Sequence, residues 1–224
     1  MKRGKKYRAV LEKLDKSKTY SLEEAIKFIQ ENKAANFDES VEVHVRTNID
    51  AKKTDQQVRG TVILPHGTGK TKKIAVITSV AQKEAKEAGA DLVAGEELLE
   101  KIKAGKIEFD VLVATPEMMP KLAKVAKILG PKGLMPNPKT DTVTPKVKEA
   151  IEALKKGKAA FKSDSSGNIH QLAGKVSFEG KNLVENIKIF IETLEKNKPA
   201  TVKGKLVKSV SICSSMGVGI KVTL

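Results

Sequence analysis

The sequence predicts an α/β protein in two parts: a discontinuous α+β domain, an antiparallel sheet with helices, interrupted by an inserted Rossmann-like parallel α/β domain. Three observations predict it. Strands near the two ends of the chain alternate strictly between apolar and polar residues, the mark of a sheet with one wet face. The middle instead alternates whole strands with helices, as a parallel sheet requires. Glycines stand at both changes of rhythm, where the chain must cross between the parts. The outer domain then comprises residues 1–67 and 157–224, and the insertion residues 68–156.

The first block opens on "MKRGKKYRAVLEKLDKSK", basic and broken by polar residues. It reads equally as a solvated, partly disordered arm or as one that contacts phosphates. "SLEEAIKFIQEN" is a helix: Ser21 and Glu24 make a capping box, and Leu22, Ala25, Ile26 and Ile29 share a face. "SVEVHVRTNI" is a half-buried strand, with Val41, Val43 and Val45 on one side and Glu42, His44 and Arg46 on the other. "QVRGTVIL" is a plausible second strand.

In the middle block the strands are "KIAVIT", "DLVA" and "FDVLVAT", separated by the helical "VAQKEAKEAGA" and "EELLEKIKAG". Thr115 then caps a helix with Pro116 at its first position, and Met119, Leu122, Ala126 and Leu129 form its buried stripe. After a loop rich in Gly and Pro, Thr144 and Pro145 open another helix with Val147, Ile151 and Leu154 on one face. The third block holds the amphipathic helix "LVENIKIFIETLEKNKP", with Leu183, Ile187, Phe190 and Leu194 buried and Pro199 as the stop. "KLVKSVSIC" and "VGIKVTL" then flank "SSMG" as a hairpin whose tip carries Ser215, Met216 and Gly217. A methionine at such a tip ordinarily folds back onto the core.

The formal net charge of +15 over 224 residues points to nucleic acid first and an anionic membrane second. No apolar run approaches the roughly 20 residues of a spanning helix, and no N-terminal signal pattern is present, so no membrane partner is expected. Cys213 is the only cysteine, which excludes an internal disulfide, suits a reducing cytoplasm and reads as a packing residue. His44, His66 and His170 are widely scattered, with no Cys or carboxylate at ligand spacing, so no metal site is expected. "LPHGTGKTKKIAVIT" ends in the Gly69-Lys70-Thr71 of a phosphate-binding loop, but the first glycine is replaced by Leu64 and a strand follows where a helix is needed. No G-x-G-x-x-G follows any strand, so no dinucleotide cofactor is expected either. "HGTGK" reads better as one crossing of a hinge formed by Gly67, Gly69 and Gly157.

"NFDESVEVHV", "DQQVRGTVILPHGTGK", "ADLVAGEELLEKI", "FDVLVATPEMM", "ILGPKGLMPNP", "GNIHQLAGKVSF" and "SSMGVGIKV" run through essentially the whole chain. In that order they resemble the family of the first-numbered bacterial large-subunit ribosomal protein, which forms the mobile stalk beside the tRNA exit site. "RGTVILPHGTGK" and "LGPKGLMPNPK" are its most specific segments. The resemblance implies a non-enzymatic, cytoplasmic protein without cofactors, acting as a monomer within the large ribosomal subunit. Its implied partners are large-subunit rRNA at a helical junction, deacylated exit-site tRNA, with which the stalk moves, and its own operon's mRNA, whose translation it represses.

By the family pattern the rRNA-binding surface comprises Phe37, Ser40, Lys162, Ser166, Gly167, His170, Ser215, Met216 and Gly217. The family usually has Thr where Ser215 stands, and often where Ser40 stands; a hydroxyl is kept and a methyl lost. RNA is read through shape, 2′-hydroxyls and stacking, with Lys and Arg placing phosphates. The plain alternatives are a buried aromatic for Phe37 and a polar loop residue for His170. The Gly130–Pro138 loop is either a cover for the inserted domain or a surface near tRNA.

Overall fold

The structure, a computed structural model, describes residues 4–223 apart from 16, 34, 51 and 79–81. In chain order it contains α1 (Lys5–Glu12), α2 (Leu22–Glu31), β1 (Ser40–Thr47), β2 (Arg59–Ile63), β3 (Ile74–Ile77), α3 (Gln82–Glu87) and β4 (Leu92–Ala94). There follow α4 (Glu96–Lys103), β5 (Val111–Ala114), α5 (Met119–Ala123), α6 (Ala126–Leu129) and α7 (Val147–Lys155). The chain closes with β6 (Lys158–Lys162), β7 (Asn168–Lys175), α8 (Gly180–Lys196), β8 (Val207–Ser214) and β9 (Ile220–Val222). By contacts it divides into two compact units, Met1–Gly69 with Ala159–Leu224, and Lys70–Lys158.

The outer unit is built on a four-stranded sheet ordered β7-β1-β8-β9, antiparallel throughout. Val41, Val43 and Val45 point into a core formed with α2 and α8. The capping box of Ser21 and Glu24 is present, and Leu22, Ala25, Ile26 and Ile29 are buried. On α8 the stripe Leu183, Ile187, Phe190 and Leu194 is buried, with Phe190 edge-to-face on Phe161 at 5.7 Å. The other sheet face stays open, so Glu42, His44 and Arg46 alternate outward as the pleat dictates. β6 and β7 had no counterpart in the periodicity: β6 pairs only with β2, and β7 ends in Ala-Gly-Lys, which blurs its alternation.

The N-terminal segment, for which a partly disordered arm was one of two equal readings, is helical over Lys5–Glu12, because Tyr7, Val10 and Leu11 pack on the outer core. Residues 1–3 and 16 of that arm, Val80 and Ala81 of the expected helix "VAQKEAKEAGA" and the final Leu224 lie outside the described residues.

The Lys70–Lys158 unit has a parallel sheet ordered β4-β3-β5. All of β3 is buried: Ala75 and Ile77 feed one apolar cluster, Ile74 and Val76 the other. Two details differ from expectation. The segment after Thr115 is not one helix but a 3-10 turn followed by α5 and α6, so the buried stripe is Met118, Leu122, Val125 and Leu129; Met119 and Ala126 are only half-buried. Thr115 makes no capping bond, and its buried hydroxyl has no partner. The next helix starts at Val147, since Thr144 spends its hydroxyl on the Lys146 N–H and forms a turn before it; Leu154 is half-buried.

Candidate nucleic-acid interface

Among the described residues the exposed large apolar side chains are Phe37 (58 %), Ile63 (54 %) and Met216 (59 %). Phe37 and Met216 are therefore not core residues. They line one groove of about 680 Å³ together with Lys5, Lys6, Tyr7 and Gly217. Three stretches distant in sequence thus meet, and a buried carboxylate ties two of them. Glu39, 1 % exposed, accepts from the Ala35 N–H at 2.6 Å and from the Met216 N–H at 3.3 Å. Sequence reasoning missed Glu39, because its partners are backbone N–H groups, one of them 177 positions away.

Ser40, unlike Phe37 and Met216, is buried, and its backbone is bonded to the hairpin tip. Its N–H donates to Ser215 Oγ at 3.1 Å, and its carbonyl accepts from the Ser215 N–H at 3.0 Å. The hydroxyl of Ser215, present where Thr is usual, is thus spent on holding the tip to β1. Gly217 does not have a positive φ. It is small for a different reason: an added Cβ would lie 2.3 Å from the Ser214 hydroxyl.

The β6–β7 turn lies at the far end of β1, where Arg46 registers against Asn168 and the Thr47 N–H donates to the Gly167 carbonyl. Asp164 accepts from the N–H groups of Ser166 (2.8 Å) and Asn168 (2.7 Å), and these bonds, Asn168 first, hold its carboxyl below the usual aspartate range. Gly167 has φ +79 and lies against Ile49, so no side chain fits there; its carbonyl takes a short hydrogen bond from the Thr47 hydroxyl. Lys162, Ser166 and His170 stand exposed around the turn. On the open face Arg46 registers against Asn168 and Ser209, and Lys221 against Ser211, giving a flat surface of cations and hydroxyls.

The expectation that the histidines are scattered fails in space, because antiparallel pairing sets His44 directly opposite His170. Their Nδ1 atoms are 2.7 Å apart, and His170 Nε2 lies 3.4 Å from Asp164. On its other side His44 Nε2 is 3.1 Å from Cys213 Sγ and 3.9 Å from Glu42 Oε2. Burial, then the neighbouring His170, depresses the His44 pKa against the opposing pull of Glu42. Burial and Glu42 push the Cys213 thiol up to about 11, so it is not a reactive thiolate. His66 stands apart, bonded to Glu185 at 2.6 Å.

Gly67, Gly69 and Gly157 all have positive φ, at 65°, 70° and 96°. Asn186, fully buried on α8, donates to the carbonyls of Gly67 (3.1 Å) and Ala173 (2.8 Å). Gly67 is thereby fastened to the outer unit. In the Gly130–Pro138 loop Leu134 and Met135 pack on an apolar cluster and Pro136 is buried, while Lys132 is exposed, so one side covers the cluster and the other faces water.

Fold and surface together define an α/β protein of two compact units, the outer one presenting a basic surface with apolar tips. Residues 29–218 match the Ribosomal protein L1p/L10e family. The chain is 52 % identical over 223 residues to the Large ribosomal subunit protein uL1 of Onion yellows phytoplasma (strain OY-M), covering 99 % of this chain and 97 % of the relative. It is 50 % identical over 222 residues to the protein of the same name from Mesoplasma florum, covering 99 % and 98 %. For that of Mycoplasma capricolum subsp. capricolum the identity is 49 % over 220 residues, covering 98 % and 97 %. The chain belongs to the Ribosomal protein L1p/L10e family, whose members are ribosomal constituents and not enzymes. Among the described residues no helix is long and apolar enough to cross a membrane.

Proposed function

We propose that the outer unit binds a helical junction of large-subunit rRNA through the groove of Phe37, Met216, Lys5 and Lys6, the β6–β7 turn and the open sheet face. The carrying observation is that Phe37 and Met216, two of the few large apolar side chains left in water, share one groove rimmed by lysines. Exposed apolar surface of this kind marks an interaction site, and unstacked RNA bases supply flat apolar partners for it. The Glu39 carboxylate, accepting from the Met216 N–H, and the Ser40 carbonyl, accepting from the Ser215 N–H, fix the tip, so binding costs little ordering.

The reading extends to the ribosome in the cytoplasm: a stalk whose inserted unit turns about Gly69 and Gly157, moves with deacylated tRNA at the exit site, and represses its own operon's mRNA through the same groove. Positive φ at these glycines supports the turning point. The test is filter binding of the rRNA junction against random duplex RNA over a salt series. Both affinities should fall with salt while the gap persists. Met216→Asp should weaken junction binding by on the order of 1–3 kcal/mol, the scale of a lost stacking contact, with the melting temperature nearly unchanged. Equal affinity for both RNAs at moderate salt refutes the specific-binding reading.

A further inference from the structure

The geometry points to a divalent transition-metal site, of the zinc class, formed by Glu42, His44 and Cys213 on the open face of the outer sheet. The three come from neighbouring strands, and their ligand atoms all lie within 4.8 Å of one another. A tetrahedral ion with bonds of about 2.0–2.3 Å sets its donors roughly 3.3–3.8 Å apart. The separations from His44 Nε2, 3.1 Å to Cys213 Sγ and 3.9 Å to Glu42 Oε2, bracket that range, so small side-chain adjustments suffice. Imidazole with thiolate and carboxylate is a donor set for a borderline-soft ion rather than for magnesium or calcium.

The surroundings provide an independent observation. A metal-bound histidine ordinarily donates its other ring N–H to a partner that fixes its tautomer. Here Asp164 faces His170 Nε2 and His170 Nδ1 faces His44 Nδ1. If His170 donates to Asp164, its Nδ1 must accept from His44, and the His44 lone pair is left on Nε2, toward Cys213 and Glu42. His170 and Asp164 are positioning residues in this scheme. On binding, the Cys213 thiol releases its proton to solvent as the metal–sulfur bond forms. The thiolate and the carboxylate then match the ion's double charge, and a water completes the fourth position.

The test titrates the reduced full chain with Zn²⁺ and, separately, with Co²⁺. The Co²⁺ form should show a near-ultraviolet thiolate-to-metal band and the visible bands of a four-coordinate ion. Cys213→Ser should abolish the thiolate band, and Glu42→Gln should weaken Zn²⁺ binding. His170→Ala should weaken it by about 10–100-fold, as loss of an outer partner does, while leaving the band in place. His66→Ala should change nothing. Zn²⁺ affinity equal in the wild type and in a folded Cys213→Ser, or a Co²⁺ spectrum without the thiolate band, would leave only a thiol–imidazole hydrogen bond and overturn the site. If Cys213→Ser does not fold, an unchanged Zn²⁺ affinity in Glu42→Gln and His170→Ala overturns it equally.

Discussion

In the Lys70–Lys158 unit, strand β3 buries every side chain, sending alternate residues to two apolar clusters, whereas in the outer unit β1 buries three valines and turns Glu42, His44 and Arg46 to water. Two methionines show the same contrast at single positions. Met118 is 2 % exposed in the inserted unit's core, and Met216 is 59 % exposed at the outer unit's hairpin tip. Parallel sheets need both faces covered, and an antiparallel sheet does not. The difference teaches where a ligand surface can form: the inserted unit covers its central strand on both faces, while the outer unit leaves a face open and holds its frame with buried polar groups such as Glu39 and Asn186.

The comparison breaks most visibly at the methionines. Met118→Asp places an unpaired charge in a closed core and should cost more than about 4 kcal/mol, removing the inserted unit's unfolding transition. If the units are energetically independent, junction-rRNA affinity should stay within about threefold of the wild type. Calorimetry paired with filter binding checks this. A collapse of affinity alongside the transition would show that the outer surface depends on the inserted unit.

Glu39→Ala probes the bracing of the open unit. It removes a charged acceptor from two backbone N–H groups, so a loss of roughly 2–3 kcal/mol is expected in urea unfolding. Junction affinity should fall too, because the Phe37 loop and the Met216 tip lose their common anchor. Glu39→Gln, which keeps one acceptor oxygen, should lie between. A stability loss with no change in affinity would mean that the tip holds its place without Glu39.

The two sheets were largely legible because their periods differ: β1 and β9 alternate, β3 and β5 are unbroken apolar runs, and α2 and α8 carry plain apolar stripes. The helix after Thr115 was misread because the periodicity assumes an α-helical start; an initial 3-10 turn moves the face by about one residue, from Met119 to Met118. The hairpin tip was read from the alternation of its flanking strands, but an RNA-facing role for Met216 and Phe37 came only from the resemblance, since hydropathy alone would bury both side chains. Glu39, Asp164 and the His44–Cys213 contact were not legible. Each depends on residues more than a hundred positions apart, or on backbone N–H groups that have no sequence signature.

The smallest effect concerns two turns of similar geometry, one in each unit. Asp164 Oδ1 accepts from the Ser166 N–H at 2.8 Å in the outer unit, and Asn137 Oδ1 accepts from the Lys139 N–H at 2.8 Å in the inserted unit. One acceptor is a carboxylate and the other a neutral amide, so only the first responds to acid. The carboxyl of Asp164 is held below its ordinary value, chiefly by the Asn168 N–H, so its contribution is present in full above the unfolded value of about 3.9. It fades progressively as the pH falls from there through the lower folded value. The amide resonances of Ser166 and Asn168 should stay fixed from neutral pH down through the ordinary aspartate value of about 3.9 and move together only below it. That of Lys139 should remain flat throughout. Asp164→Asn should make the Ser166 and Asn168 signals as insensitive as that of Lys139, with the turn kept, because the amide oxygen can still accept. Were the two signals to shift in the wild type at the pH of an ordinary aspartate or above it, the carboxylate would not be gripped by the turn, and the bracing assigned to this part of the surface would fall.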